Sequence, residues 1–156
     1  MARPRGGDWL ADDLAALRQA GVDTLVTLLT NAERDELELA DLPISCQRSG
    51  IEWVALPIPD FDVPPLSAAT AVFVAGIAER LRAGQQVVVH CRQGIGRSSL
   101  IAASALVLLG SAPAQAFAQI QAARGRPVLD TEAQRNWVER FAAACPWLLG
   151  LDTEGT

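Results

Sequence analysis

The 156-residue sequence predicts an α/β fold: a mostly parallel central sheet with helices on both faces. Three observations lead there. Strand-like and helix-like runs alternate along the chain with short connections and no internal repeat. The run 86–90 is apolar almost without interruption, as a central parallel strand covered on both faces should be. That strand then passes through a glycine-rich loop straight into the run 97–109, which is apolar nearly all round and reads as a buried helix. Half of the residues are hydrophobic, enough for a full core, and the length fits one domain spanning 1–156.

The elements follow in order. Residues 9–20 form an amphipathic helix with Leu10, Leu14 and Leu17 on one face and Gly21 stopping it. Residues 24–29 are a β-rich run. Residues 32–42 read as a short acidic helix ended by Pro43. A second strand over 51–58 leads into a proline-rich turn, 59–65. A helix over 67–83 is closed by Gly84, the third strand is 86–90, and 97–109, 113–124 and 131–144 complete the helices.

Composition narrows the function. All 13 basic residues are arginine, there is no tyrosine, and alanine is abundant, the pattern of a GC-rich, bacterial coding bias. A net charge of −5 leaves no basic face for nucleic acid or an anionic membrane. No signal-peptide core or membrane-length apolar run is present. Three cysteines make a poor disulfide framework and fit a reducing compartment, so a cytoplasmic location is expected. One histidine among scattered cysteines makes no zinc set, and neither a metal nor a cofactor is expected. A Walker loop is excluded because the chain has no lysine.

The chemistry concentrates in His90-Cys91-Arg92-Gln93-Gly94-Ile95-Gly96-Arg97-Ser98. The five residues between Cys91 and Arg97 can curl so that their N–H groups converge on one point. The helix starting near Gly96 aims its positive end there. Arg97 supplies a planar fork for two oxygens of a tetrahedral anion, and a cation at a helix start makes sense only with an anion beside it. Phosphate, sulfate and vanadate are the oxyanions this cradle should bind. A cysteine at its floor should be acidified and attack phosphorus, giving phosphate-ester hydrolysis through a cysteinyl-phosphate. Arg92 turns its amide inward and its side chain outward, toward solvent or other protein groups. Cys46 and Cys145 have no such surroundings and read as packing residues.

These residues resemble the signature of the cysteine-based protein phosphatases, His-Cys-x-x-Gly-x-x-Arg-Ser/Thr, with His90, Cys91, Gly94, Arg97 and Ser98 each in register. The resemblance covers about residues 23–141. Through Leu56-Pro57-Ile58-Pro59-Asp60 it is closest to the dual-specificity branch of the cyclin-dependent-kinase-associated type. It implies a phosphorylated protein as substrate, bearing phosphotyrosine and also phosphoserine or phosphothreonine. It further implies that Ser98 donates to the Cys91 sulfur and that buried His90 orients the loop. The loop residues 92–97 would bind the phosphoryl group. A general acid is required; the family segment aligns onto Asp60, with Asp62 as second candidate, and either could instead be a turn former. Gln134 matches a glutamine that positions water in relatives, yet Thr131-x-x-Gln134 is equally a capping box. Arg124 and Arg126 are either substrate contacts or solvated charges. Such relatives carry one or two strands before the first helix; here a smaller sheet and a late-starting chain are both open. A non-protein phosphate ester, such as a phosphoinositide or nucleotide, and a weakly catalytic phosphate-binding module are the alternatives.

Overall fold

The computed structural model describes residues 1–129 and 131–150. A single 3-10 turn at Gly7–Trp9 leads into α1 (Leu10–Gln19), followed by β1 (Thr24–Thr27), α2 (Asn31–Glu36), α3 (Leu42–Arg48) and β2 (Glu52–Ala55). Then come α4 (Ala68–Arg82), β3 (Val87–His90), α5 (Arg97–Leu108), α6 (Pro113–Arg124) and α7 (Glu132–Leu148). Among the described residues the sheet has three strands, all parallel, in the order β2-β1-β3.

Register fixes the site. Thr27 pairs with Ala55 on one side and His90 on the other, so the three carboxyl ends lie level along one rim. The loops after β1, β2 and β3 all leave from it, which is where open parallel sheets place ligands.

The two faces carry separate cores because neighbouring strand residues point opposite ways. Leu25 packs with Leu10, Leu14, Leu39, Leu42 and Cys46 under α1 and α3. Val26 packs on the other face with Val74, Leu100, Phe117 and Phe141 under α4 to α7. Helices on both faces are therefore as the sequence predicts. β3, however, lies at the edge and β1 in the middle. The apolar character of β3 comes from the layers above and below: Val87 and Val89 pack against one core, Val88 against the other.

Two helix boundaries differ from expectation. The acidic run is not one helix but two: α2 stops at Glu36, Glu38 turns the chain at φ +56°, and α3 begins at Leu42. Leu39 and Leu42 are both fully buried in the smaller core, which forces that bend. Pro43 then opens α3 instead of ending a helix, since its fixed φ suits a first turn. At the other end α7 runs on past Ala144 with Pro146 inside it. Pro146 cannot donate to the Ala142 carbonyl four residues back. The Cys145 thiol does so instead, at 3.5 Å.

Phe141, fully buried and stacked on Trp137 with centroids 5.2 Å apart, joins α7 to the larger core. Truncation to alanine would leave a cavity, so Phe141→Ala should cost about 3–5 kcal/mol. The expected reading is a lower urea midpoint at an unchanged slope.

Candidate functional site

Residues 91–96 leave β3 and turn into α5 as a closed loop. Gly94 lies at φ +72°, a left-handed position, and a Cβ there would come within 2.2 Å of the Met1 backbone. Glycine is thus required twice over, and its N–H is freed to donate to Cys91 Sγ at 3.2 Å. Ser98, in the first turn of α5, holds its hydroxyl 3.4 Å from the same sulfur. The outside of the loop is braced by Leu129 N–H to the Ile95 carbonyl at 3.0 Å and Arg126 to the Gln93 carbonyl at 3.4 Å.

Cys91 is buried at the foot of this loop. Burial pushes its thiol up, but hydrogen bonds from the Ser98 hydroxyl and the Ser98 and Gly94 amides, with the Arg97 charge, outweigh it, and the thiol lies below its ordinary value. Cys46 shows the contrast: burial alone pushes it up to about 11. Thiolate character therefore belongs to Cys91 of the two.

Arg97 is 1% exposed although it is charged. Burial works against its charge, but Glu33 more than compensates and holds the guanidinium firmly protonated. Both Glu33 oxygens accept from Arg97 at 2.8 Å, Nη1 also donates to the Ile58 carbonyl at 2.7 Å, and Asp60 Oδ1 lies 3.0 Å from Nη2. Arg97 Nε is buried and makes no hydrogen bond among the described residues.

The other expected site residues are placed as follows. Asp60 and Cys91 line one small cavity of about 30 Å³ with Arg92, Gln93, Ile95 and Gly96. Asp62 turns away, its carboxylate accepting from Val63 N–H at 2.8 Å. Arg92 points outward to Glu36 at 2.7 Å and lies 3.7 Å from Glu33. Gln134 is buried in a capping box with Thr131, and its amide makes a long 3.5 Å contact to the Asp62 carbonyl. Arg124 lines a different pocket, behind the loop, beside Val87 and Ser99.

His90 is fully buried, with Nε2 on the Thr27 hydroxyl and Nδ1 3.3 Å from the Cys91 carbonyl. It ties β1 to β3 where the loop begins. Burial lowers its pKa to about 4.

Glu33 is the residue that sequence reasoning missed. Its signal was available: Thr30-x-x-Glu33 is a capping box directly after the carboxyl end of β1, and both halves of the box form. That geometry leaves the carboxylate on the rim from which the Cys91 loop also departs. Burial raises the Glu33 pKa, but hydrogen bonds from Arg97 and Thr30 prevail and hold it below the ordinary value. Among the described residues no group of three or more histidine, cysteine or acidic side chains could hold a metal ion. Nor is any described helix long and apolar enough to cross a membrane.

A three-layer α/β fold with this loop at the strand ends is that of the dual-specificity phosphatases. The chain belongs to the Tc-R-P family, described as "Polymorphic toxin system, DSP-PTPase phosphatase", whose model matches residues 1–111. It is similar to cyclin-dependent kinase inhibitor 3 of Rattus norvegicus, 28% identical over 131 residues, and of Homo sapiens, 26% identical over 131. Each match takes in 83% of this chain but 61% of the relative, so the chain spans about three fifths of the length of the curated relatives it matches. Among solved structures, a kinase-associated phosphatase with serine in place of its catalytic-site cysteine superposes with a TM-score of 0.83 at 23% identity, over 97% of this chain and 86% of that one. Tk-PTP in its active form gives 0.69 at 25%, over 85% and 86%. Likeness to the kinase-associated type, expected from the 56–60 segment, is thus found in sequence and in fold.

Two outcomes are expected here. Removing the Glu33 carboxylate strands the Arg97 charge; Glu33→Ala should cost about 2–3 kcal/mol in urea unfolding, less than a fully buried pair because Glu33 keeps a wet edge. His90 titrates near 4 folded and 6.5 unfolded, so between these values the unfolded chain binds the proton first. Its contribution, about 3 kcal/mol, is complete above 6.5 and is lost as pH falls toward 4. The urea midpoint of the wild type should drop as pH is lowered from 6.5 to about 5, and His90→Asn should flatten that drop.

Proposed function

We propose that the protein hydrolyses phosphate monoesters on phosphorylated proteins through a cysteinyl-phosphate on Cys91. The observation that carries this is the acidified Cys91 sulfur, held by Gly94 N–H and the Ser98 hydroxyl in one cavity with Asp60. The entering phosphoryl oxygens take the inward amides of residues 92–96 and displace Asp60 from Arg97, whose Nε has a donor to spare. Arg97 and the amides then stabilise the charge that builds on the equatorial oxygens in the transition state.

In the first step the Cys91 thiolate bonds to phosphorus as the ester P–O bond breaks, and Asp60 gives its proton to the leaving oxygen. In the second, the Asp60 carboxylate takes a proton from water as that water attacks phosphorus. The S–P bond breaks, inorganic phosphate leaves, and the departing thiolate is met by the Ser98 hydroxyl. Asp60 is assigned the acid role over Asp62 because Asp60 lines the Cys91 cavity and reaches Arg97, and Asp62 does neither. Neither step uses a metal or cofactor. Phosphate, sulfate and vanadate would occupy the same loop as ligands. A free thiolate needs a reducing compartment, in keeping with the cytoplasm.

A phosphorylated protein is favoured over a highly charged headgroup or nucleotide by the rim. Arg92, which lines the cavity, is already paired with Glu36 at 2.7 Å and lies 3.7 Å from Glu33. The relatives' names, a kinase inhibitor and a kinase-associated phosphatase, lend the same support.

The test is hydrolysis of para-nitrophenyl phosphate in EDTA with reductant. Wild type should turn over, Cys91→Ser should not, and Asp60→Ala should lose about a hundredfold or more in kcat. A wild type that binds vanadate but hydrolyses nothing would reduce the protein to a phosphate-recognition module.

A further inference from the structure

Helix α2 carries two carboxylates toward the Cys91 loop, Glu33 and, three residues on, Glu36. Glu33 is engaged by Arg97. Glu36 goes to Arg92, whose Nη2 donates to its Oε2 at 2.7 Å. Neither folding nor the two chemical steps above call for that second pair. Glu36 is 63% exposed, and an ion pair so open to water adds little to stability. Arg92, however, lines the Cys91 cavity with Asp60 and Gln93. Glu36 therefore acts on the charge of the cavity mouth.

The charges around that mouth do not balance. Two guanidiniums, Arg92 and Arg97, face three carboxylates, Glu33, Glu36 and Asp60. The Cys91 thiolate adds to the excess, and a bound phosphoryl group engages Arg97 and enlarges it again. A second phosphate or an acidic side chain beside the scissile ester then meets Arg92 as the cation lining the cavity, and must take it from Glu36. The released carboxylate stands against the newcomer, and like-charge contacts of this kind reject a partner. Arg126, the other arginine on this loop, holds the Gln93 carbonyl from outside. A basic side chain meets the opposite situation. Glu36 Oε1 accepts no hydrogen bond among the described residues and is open to it.

We infer that Glu36 is a specificity-determining residue that turns the Cys91 site toward phosphoresidues flanked by basic side chains and against those beside acidic groups or a second phosphate. The inference rests on the phosphatase reading above and narrows its substrate class. Glu36 works through Arg92 and through its own charge, and touches no reacting atom.

The test measures kcat/KM for three phosphotyrosine peptides that differ only in the two residues flanking the phosphotyrosine: both arginine, both glutamine or both glutamate. Wild type should favour the arginine peptide over the glutamate peptide, and less so as salt is raised. Glu36→Gln should lower that ratio about tenfold, while kcat/KM for para-nitrophenyl phosphate stays within about twofold. Adding Arg92→Ala to Glu36→Gln should restore part of the ratio, because the freed arginine is what admits the glutamate peptide. A purely structural role for Glu36 would change neither the ratio nor its salt dependence. An unchanged ratio in Glu36→Gln, or a wild type that prefers the glutamate peptide, overturns the inference and leaves the phosphatase reading standing. Turnover of para-nitrophenyl phosphate but of none of the peptides overturns it together with the choice of a protein substrate. A wild type inactive on all four overturns the phosphatase reading as well.

Discussion

The architecture turns on one buried charge. Taking a guanidinium out of water costs several kcal/mol unless its donors are matched, and Arg97 is almost wholly enclosed. Its partners come from different strands. Glu33 follows β1, while the Ile58 carbonyl and Asp60 follow β2. Arg97 itself follows β3. Such a set can close only if the three strands run parallel and end level, which the register provides. Parallel topology, the cap of α2 and the exit of the β2 loop are all needed to keep one arginine charged in the interior.

The same arrangement separates the groups that hold Arg97 from those that hold Cys91. Glu33 takes the two terminal nitrogens from one side, and Asp60 shares one of them. Glu33 is fixed by its capping box, so it holds Arg97 in place, whereas Asp60 reaches Arg97 from a turn outside any helix or strand. The sulfur draws on other groups, the amides and hydroxyl at the start of α5. The Cys91 sulfur and the Arg97 guanidinium are thus held by separate sets of partners.

Much of this was legible in the chain, for identifiable reasons. The loop from His90 to Ser98 is written in contiguous residues, so its local geometry follows from its sequence. The alternation of apolar runs gave the layered α/β class. Long-range features were harder to read. Glu33 meets Arg97 across 64 positions, and only strand register brings them together. The place of β3 at the edge was hidden because a strand sandwiched between helix layers is as apolar as one flanked by strands. Pro43 misled because proline both ends and begins helices, and the burial of Leu39 and Leu42 decided which. For Gln134 the sequence left cap and site role open, and the structure shows the cap formed with a contact to the Asp60 turn besides.

Helix α5 has two allegiances. Its first turn carries Arg97 and Ser98, and its body supplies Leu100, Ile101 and Ala103 to the larger core. Residues 59–65 carry less of that core: beside a turn of their own and contacts to Arg97 and Gln134, Val63 packs against it and Pro64 is buried. Sequence drift is therefore channelled unevenly over the rim. Change in the thiol-bearing loop also disturbs the core and is purged for folding, while the exposed positions of the 59–65 turn are free of that second constraint. Lineages descended from such a domain would diverge first at its mouth and last at its floor.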